Sequence, residues 1–79
     1  MNHTKKPFRR ILLTGAAGGL GRILRNRIKP WADIIRLSDI AELGDAAEGE
    51  EIVPCDLADR AAVHALMQDV DVVLHFGGI

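Results

Sequence analysis

Tyrosine is missing from this 79-residue chain, cysteine occurs once, and aromatic residues make up only 4% of it. Each shortage excludes something. With Cys55 alone, no internal disulfide and no cysteine-based zinc site can form, and a reducing, cytoplasmic compartment is expected. Cys55 itself reads as a small buried apolar residue. Long hydrophobic runs are missing too. The first, Ile11–Leu13, is far short of the roughly 7–15 apolar residues of a secretory signal, and nothing approaches the roughly 20 of a membrane span. No membrane partner is expected. Charge of one sign is also lacking: the net charge is −1 and the pI near 6.3, so composition makes no case for nucleic acid. The basic cluster Lys5, Lys6, Arg9 and Arg10 has no interleaved aromatics and reads as a solvated extension over residues 1–10. His3, His64 and His75 stand at no metal-binding spacing, and no metal site is expected.

What the chain does have is glycine, concentrated in one place. Ile11-Leu12-Leu13-Thr14 runs into Gly15-Ala16-Ala17-Gly18-Gly19-Leu20-Gly21, with three glycines three residues apart and a helical pattern directly after. Gly15 can take the tight turn out of a strand, because it tolerates positive φ. Gly18 lets a ligand's phosphates approach the backbone, and Gly21 lets the helix pack closely. Gly19 is an additional glycine in the loop. The backbone N–H groups at such a helix start, with roughly half a positive charge from the summed peptide dipoles, suit a pyrophosphate.

Beyond the turn, Leu20, Ile23, Leu24 and Ile28 recur at helical spacing, with Arg22, Arg25, Asn26 and Lys29 opposite, and Pro30 stops the helix. A second strand is expected over Ile34–Ser38, then an exposed acidic loop over Ala41–Glu50. A third strand is expected over Ile52–Cys55, where Pro54 cannot donate to a ladder and so points to a sheet edge. Asp59 is the expected N-cap of a second helix that packs through Ala62, Val63, Leu66, Met67 and Val70. A fourth strand, Val72–Phe76, is continuously apolar, as when helices cover both faces. Strand–helix alternation with right-handed crossovers predicts an α/β fold over residues 11–79. It is the N-terminal part of a doubly wound, Rossmann-type parallel sheet ordered 3-2-1-4.

In that order the strand ends converge on one ligand. Asp39 closes the second strand, 18 residues beyond Gly21, where an acid accepts hydrogen bonds from both hydroxyls of an adenosine ribose. Asp56 and Leu57 follow the third strand, placed to receive an adenine amino group and pack on its face. Phe76, Gly77 and Gly78 end the fourth, where missing side chains let a ribose and nicotinamide lie against backbone. Asp39 also stands where a 2′-phosphate would go, so NAD is expected over NADP; Arg36 is the one nearby residue that could reverse this. His75, at an apolar strand end, reads as a hydrogen-bonded structural histidine, and His64 as partly exposed.

The runs I-L-L-T-G-A-A-G-G-L-G-R, R-L-S-D-I, C-D-L-A-D and V-V-L-H-F-G-G-I together resemble the start of an extended short-chain dehydrogenase/reductase. More narrowly, they resemble the uronate dehydrogenases, which oxidise C1 of glucuronate or galacturonate to an aldarolactone with NAD. The glycine turn is generic to that superfamily; the S-D-I, D-L-A-D and H-F-G-G-I details are narrower. The resemblance implies that Gly15, Gly18, Gly19, Leu20 and Gly21 hold the pyrophosphate. Asp39 and Ile40 would take the adenosine ribose and flank the adenine, Asp56 and Leu57 the adenine, and Phe76, Gly77 and Gly78 the nicotinamide side. It implies a sugar-acid substrate and a homo-oligomer in the full-length protein. The family's catalytic base is a tyrosine, helped by a lysine and a serine. With no tyrosine and no serine after Ser38, no catalytic residue is assigned in this chain. Nor does any arginine near the expected nicotinamide end select a sugar carboxylate. The chain is expected to be the cofactor-binding start of a longer enzyme, inactive and marginally stable by itself; domains this small bury only about 60% of their unfolded surface.

Other readings compete. A nucleotide-sugar epimerase or dehydratase shares this first half. A non-enzymatic dinucleotide sensor differs from an enzyme mainly in lacking the tyrosine and lysine. An S-adenosylmethionine-dependent methyltransferase is weaker, because its turn needs glycines two apart. A P-loop needs Gly-Lys-Ser/Thr after the turn, and none follows.

Overall fold

The computed structural model describes residues 5–77. The chain runs β1 (Phe8–Thr14), α1 (Gly19–Arg27), a 3-10 turn (Lys29–Trp31), β2 (Ala32–Ser38), β3 (Glu50–Ile52), α2 (Arg60–Leu66) and β4 (Val72–His75). All four strands are parallel and ordered β3-β2-β1-β4, as the alternation of elements predicts.

Side-chain alternation along β1 divides the core into two layers. Ile11 and Leu13 point to the α1 face, where they join Ile28, Ala32, Ile35 and Leu37. Leu12 points the other way and packs with Cys55 and Leu66 beneath α2. Cys55 is buried, as its reading as a small apolar residue requires. Arg36 on β2 also faces α2. Its Nη1 donates to the carbonyls of Leu66 at 2.6 Å and Gln68 at 2.9 Å, and its Nε to Glu51 Oε1 at 3.0 Å. Arg10 of β1 donates to the same Glu51 oxygen at 3.0 Å, so one carboxylate ties together three strands.

Several boundaries and burials differ from expectation, each for a physical reason. β1 begins at Phe8, so Arg9 and Arg10 are strand residues and not a solvated arm; their amides donate to the Asp71 carboxylate. β2 starts at Ala32, and β3 spans Glu50–Ile52 rather than residues 52–55. Bonds to β2 nevertheless continue past β3, from Val53 N to Leu37 O at 2.9 Å and from Cys55 N to Asp39 O at 3.3 Å. Pro54 falls between these two donors, so its missing N–H faces the open edge, and β3 is indeed an edge strand.

The apolar stripe of α1 is only half buried. Gly21, Leu24 and Ile28 (i, i+3, i+7) form its line of contact, leaving Leu20 52% and Ile23 55% exposed to one side. α2 likewise packs through Leu66, flanked by Ala62, Val63 and Val70. Met67, expected in that stripe, is turned away and 45% exposed. On β4, Val72 and Leu74 meet the α1-side core, whereas Val73 and His75 are exposed on the face expected to be covered. The expected cap is present: Asp59 accepts from Ala62 N at 3.1 Å.

Candidate functional site

The strand ends surround a cleft of about 650 Å³. Its floor is the glycine turn. Gly15 sits at φ +69, and a Cβ there would lie 2.6 Å from the backbone of Phe76, so only glycine can bring the end of β1 this close to the end of β4. A Cβ on Gly21 would run into the Gly15 carbonyl, which lets α1 seat directly on the turn. Gly18 is the N-cap of α1, with no side-chain cap and no acid in the first helical turn. The positive end of the helix dipole is therefore open to an anion.

Asp39 reaches this turn from β2. Its Oδ2 accepts from Ala17 N at 2.9 Å and its Oδ1 from Ala41 N at 3.0 Å. The Ala41 amide, with a smaller contribution from Ala17, outweighs partial desolvation and holds the carboxyl below the usual carboxylate range. Asp39 is thus anionic at neutral pH, and each oxygen keeps a lone pair to offer a ligand. Beside it, Ile40 is 77% exposed, and Ile40 and Leu57 both line the cleft, giving it an apolar wall. Asp56 folds back to accept from Ala58 N at 2.9 Å.

Of the residues singled out in the sequence, Gly15, Gly18, Asp39, Ile40, Asp56, Leu57, Phe76 and Gly77 line the cleft. Gly19, Leu20 and Gly21 do not: Gly21 is buried in packing, and Gly19 and Leu20 lie on the exposed first turn of α1. Gly78 falls outside the described residues. Sequence reasoning missed Thr14 and Ser38 as lining residues. Both stand at strand C-termini in register with one another, which is the signal that could have found them. Thr14 Oγ1 accepts from Phe76 N at 3.0 Å and Gly77 N at 3.1 Å, and lies 2.7 Å from His75 Nδ1. His75 is therefore hydrogen-bonded, as expected, though at an exposed position. Ser38 Oγ is buried without a hydrogen-bond partner among the described residues. Burial first, then Asp59 and Asp56, push the Cys55 thiol up, so it stays protonated. His64 is exposed beside Gln68 and is not among the residues that line the cleft. Among the described residues, no three His, Cys, Asp or Glu side chains converge as a metal site would require.

A smaller hollow of about 420 Å³ lies beside Ala17, Arg22, Arg25 and Leu43. Arg25 is committed to Glu50 at 2.7 Å there, and Arg22 Nε donates to Ala17 O at 3.0 Å. Arg36, the residue able to favour a 2′-phosphate, is tied to the end of α2 and to Glu51 instead.

The arrangement matches known proteins closely over a limited length. The uronate dehydrogenase of Pseudomonas putida is 57% identical over 77 residues, which is 96% of this chain and 29% of that protein. The crystal structure of a uronate dehydrogenase from Agrobacterium tumefaciens superposes with a TM-score of 0.90 at 49% identity, covering 92% of this chain and 27% of the other. A mutant of that enzyme complexed with NAD superposes at 0.89 with 50% identity, over 91% and 27% of the two chains. The chain thus spans under a third of the length of these relatives. The profile of the NAD dependent epimerase/dehydratase family matches residues 11–79, from β1 through the last strand of the sheet, and the chain belongs to that family.

Proposed function

We propose that this chain holds NAD across its strand ends and serves as the cofactor-binding segment of a hexuronate dehydrogenase. The observation that carries the cofactor assignment is the 2.9 Å contact between Asp39 and Ala17 N, which sets the acid of β2 against the glycine turn of β1. A ribose on Asp39 would then leave its phosphate at the start of α1. In this reading Gly18, Gly19 and Leu20 receive the pyrophosphate, while Gly15 and Gly21 shape the turn. Asp39 takes the adenosine ribose hydroxyls, Ile40 and Leu57 sandwich the adenine, and Asp56 accepts from its amino group. Phe76 and Gly77 form the backbone wall for the nicotinamide half. Gly18 starts α1 with no side-chain cap and no acid in the first helical turn, and with Gly15 it lines the cleft, so the residues present fit this group.

NAD is favoured over NADP. Two unit charges about 4 Å apart repel by about 4 kcal/mol at an effective dielectric near 20, and a 2′-phosphate would meet that repulsion at Asp39, reduced by solvent screening. Arg36 is not free to offset it.

Bound NAD supplies a hydride acceptor. The chain's own residues bind and orient that acceptor, and no residue among them is assigned to move the substrate proton, since the sequence contains no tyrosine. Oxidation at C1 of glucuronate or galacturonate is supported by the 57% identity to a uronate dehydrogenase. The family description favours one alternative, an NAD-dependent sugar epimerase or dehydratase that returns its hydride to the product. The test is NADH formation by the intact protein with glucuronate and galacturonate. Absorbance at the reduced nicotinamide band is expected with NAD and much less with NADP. Turnover of a nucleotide sugar with no net NADH would assign the alternative.

A further inference from the structure

Thr14 is buried and carries three hydrogen-bond relations on one oxygen. A hydroxyl has one proton and two lone pairs. The amides of Phe76, at 3.0 Å, and Gly77, at 3.1 Å, both donate to Oγ1, and Phe76 N also reaches the Thr14 carbonyl at 3.3 Å. With both lone pairs engaged, the hydroxyl proton needs an acceptor. Parallel register places Ser38 on one side of Thr14 and His75 on the other. Among the described residues Ser38 Oγ makes no hydrogen bond, which leaves His75 Nδ1, at 2.7 Å, to receive the proton. In this arrangement Nδ1 is the acceptor nitrogen of the ring.

The bond matters because of what hangs from it. Phe76–Gly77 is the segment that presses on Gly15, whose missing Cβ would lie 2.6 Å from the Phe76 backbone. The ends of β1 and β4 therefore meet at one hydroxyl, and the segment it holds packs against the glycine turn.

We propose that His75 is a positioning residue for the nicotinamide side of the cleft. By accepting the Thr14 proton, it turns both Thr14 lone pairs onto the Phe76 and Gly77 amides and fixes the backbone wall there. This rests on the reading of the cleft as an NAD site. The role requires only an acceptor at Nδ1, not an imidazole as such. An asparagine carbonyl can supply that acceptor; a leucine cannot.

The experiment compares binding of NAD and of AMP, which occupies only the adenosine side, by calorimetry on the intact protein. His75→Leu is expected to weaken NAD about tenfold, the worth of roughly one buried hydrogen bond, while AMP affinity is unchanged. His75→Asn should bind NAD close to the unsubstituted protein. In a Thr14→Val background, His75→Leu should add nothing further. The inference is overturned by wild-type NAD affinity in His75→Leu. Equal losses of NAD and AMP, an asparagine variant no better than leucine, or additive effects with Thr14→Val also overturn it. An unsubstituted protein that binds AMP but gains nothing from the second nucleotide overturns the NAD reading itself, and the inference with it.

Discussion

At the residue scale, two glycines of one loop behave oppositely. Gly15 has φ +69 and meets the Phe76 backbone, which cannot swing aside as a side chain would. Gly15→Ala combines the left-handed penalty of about 1–2 kcal/mol with that overlap, so a loss of at least about 2 kcal/mol is expected. A Cβ on Gly19 meets nothing within 4 Å. Gly19→Ala should leave stability unchanged or slightly raised, by up to about 1 kcal/mol. Urea unfolding of the two variants checks both outcomes; equal effects would remove the special status of Gly15. Asp39 acts by charge as well as by its bonds to Ala17 and Ala41. Asp39→Ala is expected to weaken NAD and narrow its advantage over NADP, and an unchanged ratio in parallel titrations would contradict the charge argument. The spacing of the glycines and the acid made these residues legible in the sequence, because each role depends on local backbone geometry.

At the element scale, α2 is the dependent piece. Seven residues are too few for an independent helix, given the cost of nucleation. It is held by Leu66 in the core, by Asp59 at its start and by Arg36 at its end. Asp59→Ala should cost about 1 kcal/mol, the usual value of an N-cap. Arg36→Met removes the bonds to the Leu66 carbonyl at the end of α2 and to the Gln68 carbonyl just past it, and leaves Glu51 with Arg10 alone, at a cost of about 1–3 kcal/mol. Faster amide hydrogen exchange in α2 than in β1 is the expected signature. The same variant should leave the NAD to NADP preference untouched, since Arg36 is engaged away from Asp39. A shift toward NADP would show that Arg36 reaches the cofactor after all.

At the scale of the whole molecule, one acid joins the sheet edge to α1. Glu50 has a side chain 1% exposed and pairs with Arg25 at 2.7 Å and Lys29 at 3.4 Å. The Arg25 guanidinium, chiefly through its hydrogen bonds, lowers the carboxyl to about 2 despite burial. A depressed pKa in the folded state adds stability above the unfolded value near 4.3, and that stability is lost as pH falls toward about 2. The shift corresponds to about 3 kcal/mol at most, by 1.36 kcal/mol per pKa unit. Glu50→Gln should lower stability at pH 7 and flatten the decline between about pH 5 and 2, read by urea midpoints at each pH. Leu20, Ile23, Val73 and Phe76 also lie exposed on this chain. As an isolated polypeptide it is expected to self-associate through these residues and the edge of β4. A monomer with a sharp melting transition in sedimentation and calorimetry would contradict that.

Taken by itself, the sequence determined whatever a single residue or a short run decides. Gly15 marks a turn because only glycine is unstrained there, and Asp59 caps α2 with its own side chain. Pro54 marks the edge because it has no proton to donate. The strand order follows from alternation and handedness, which act on any chain with this pattern. The tertiary structure alone decided which half of the α1 stripe is buried and that Met67 turns outward, because those outcomes depend on how each helix sits on the sheet. It also decided that Arg36 serves α2 and that Thr14 meets His75, 61 residues away along the chain. Such pairings arise where strand register and helix placement bring distant polar groups together, and no local periodicity encodes them.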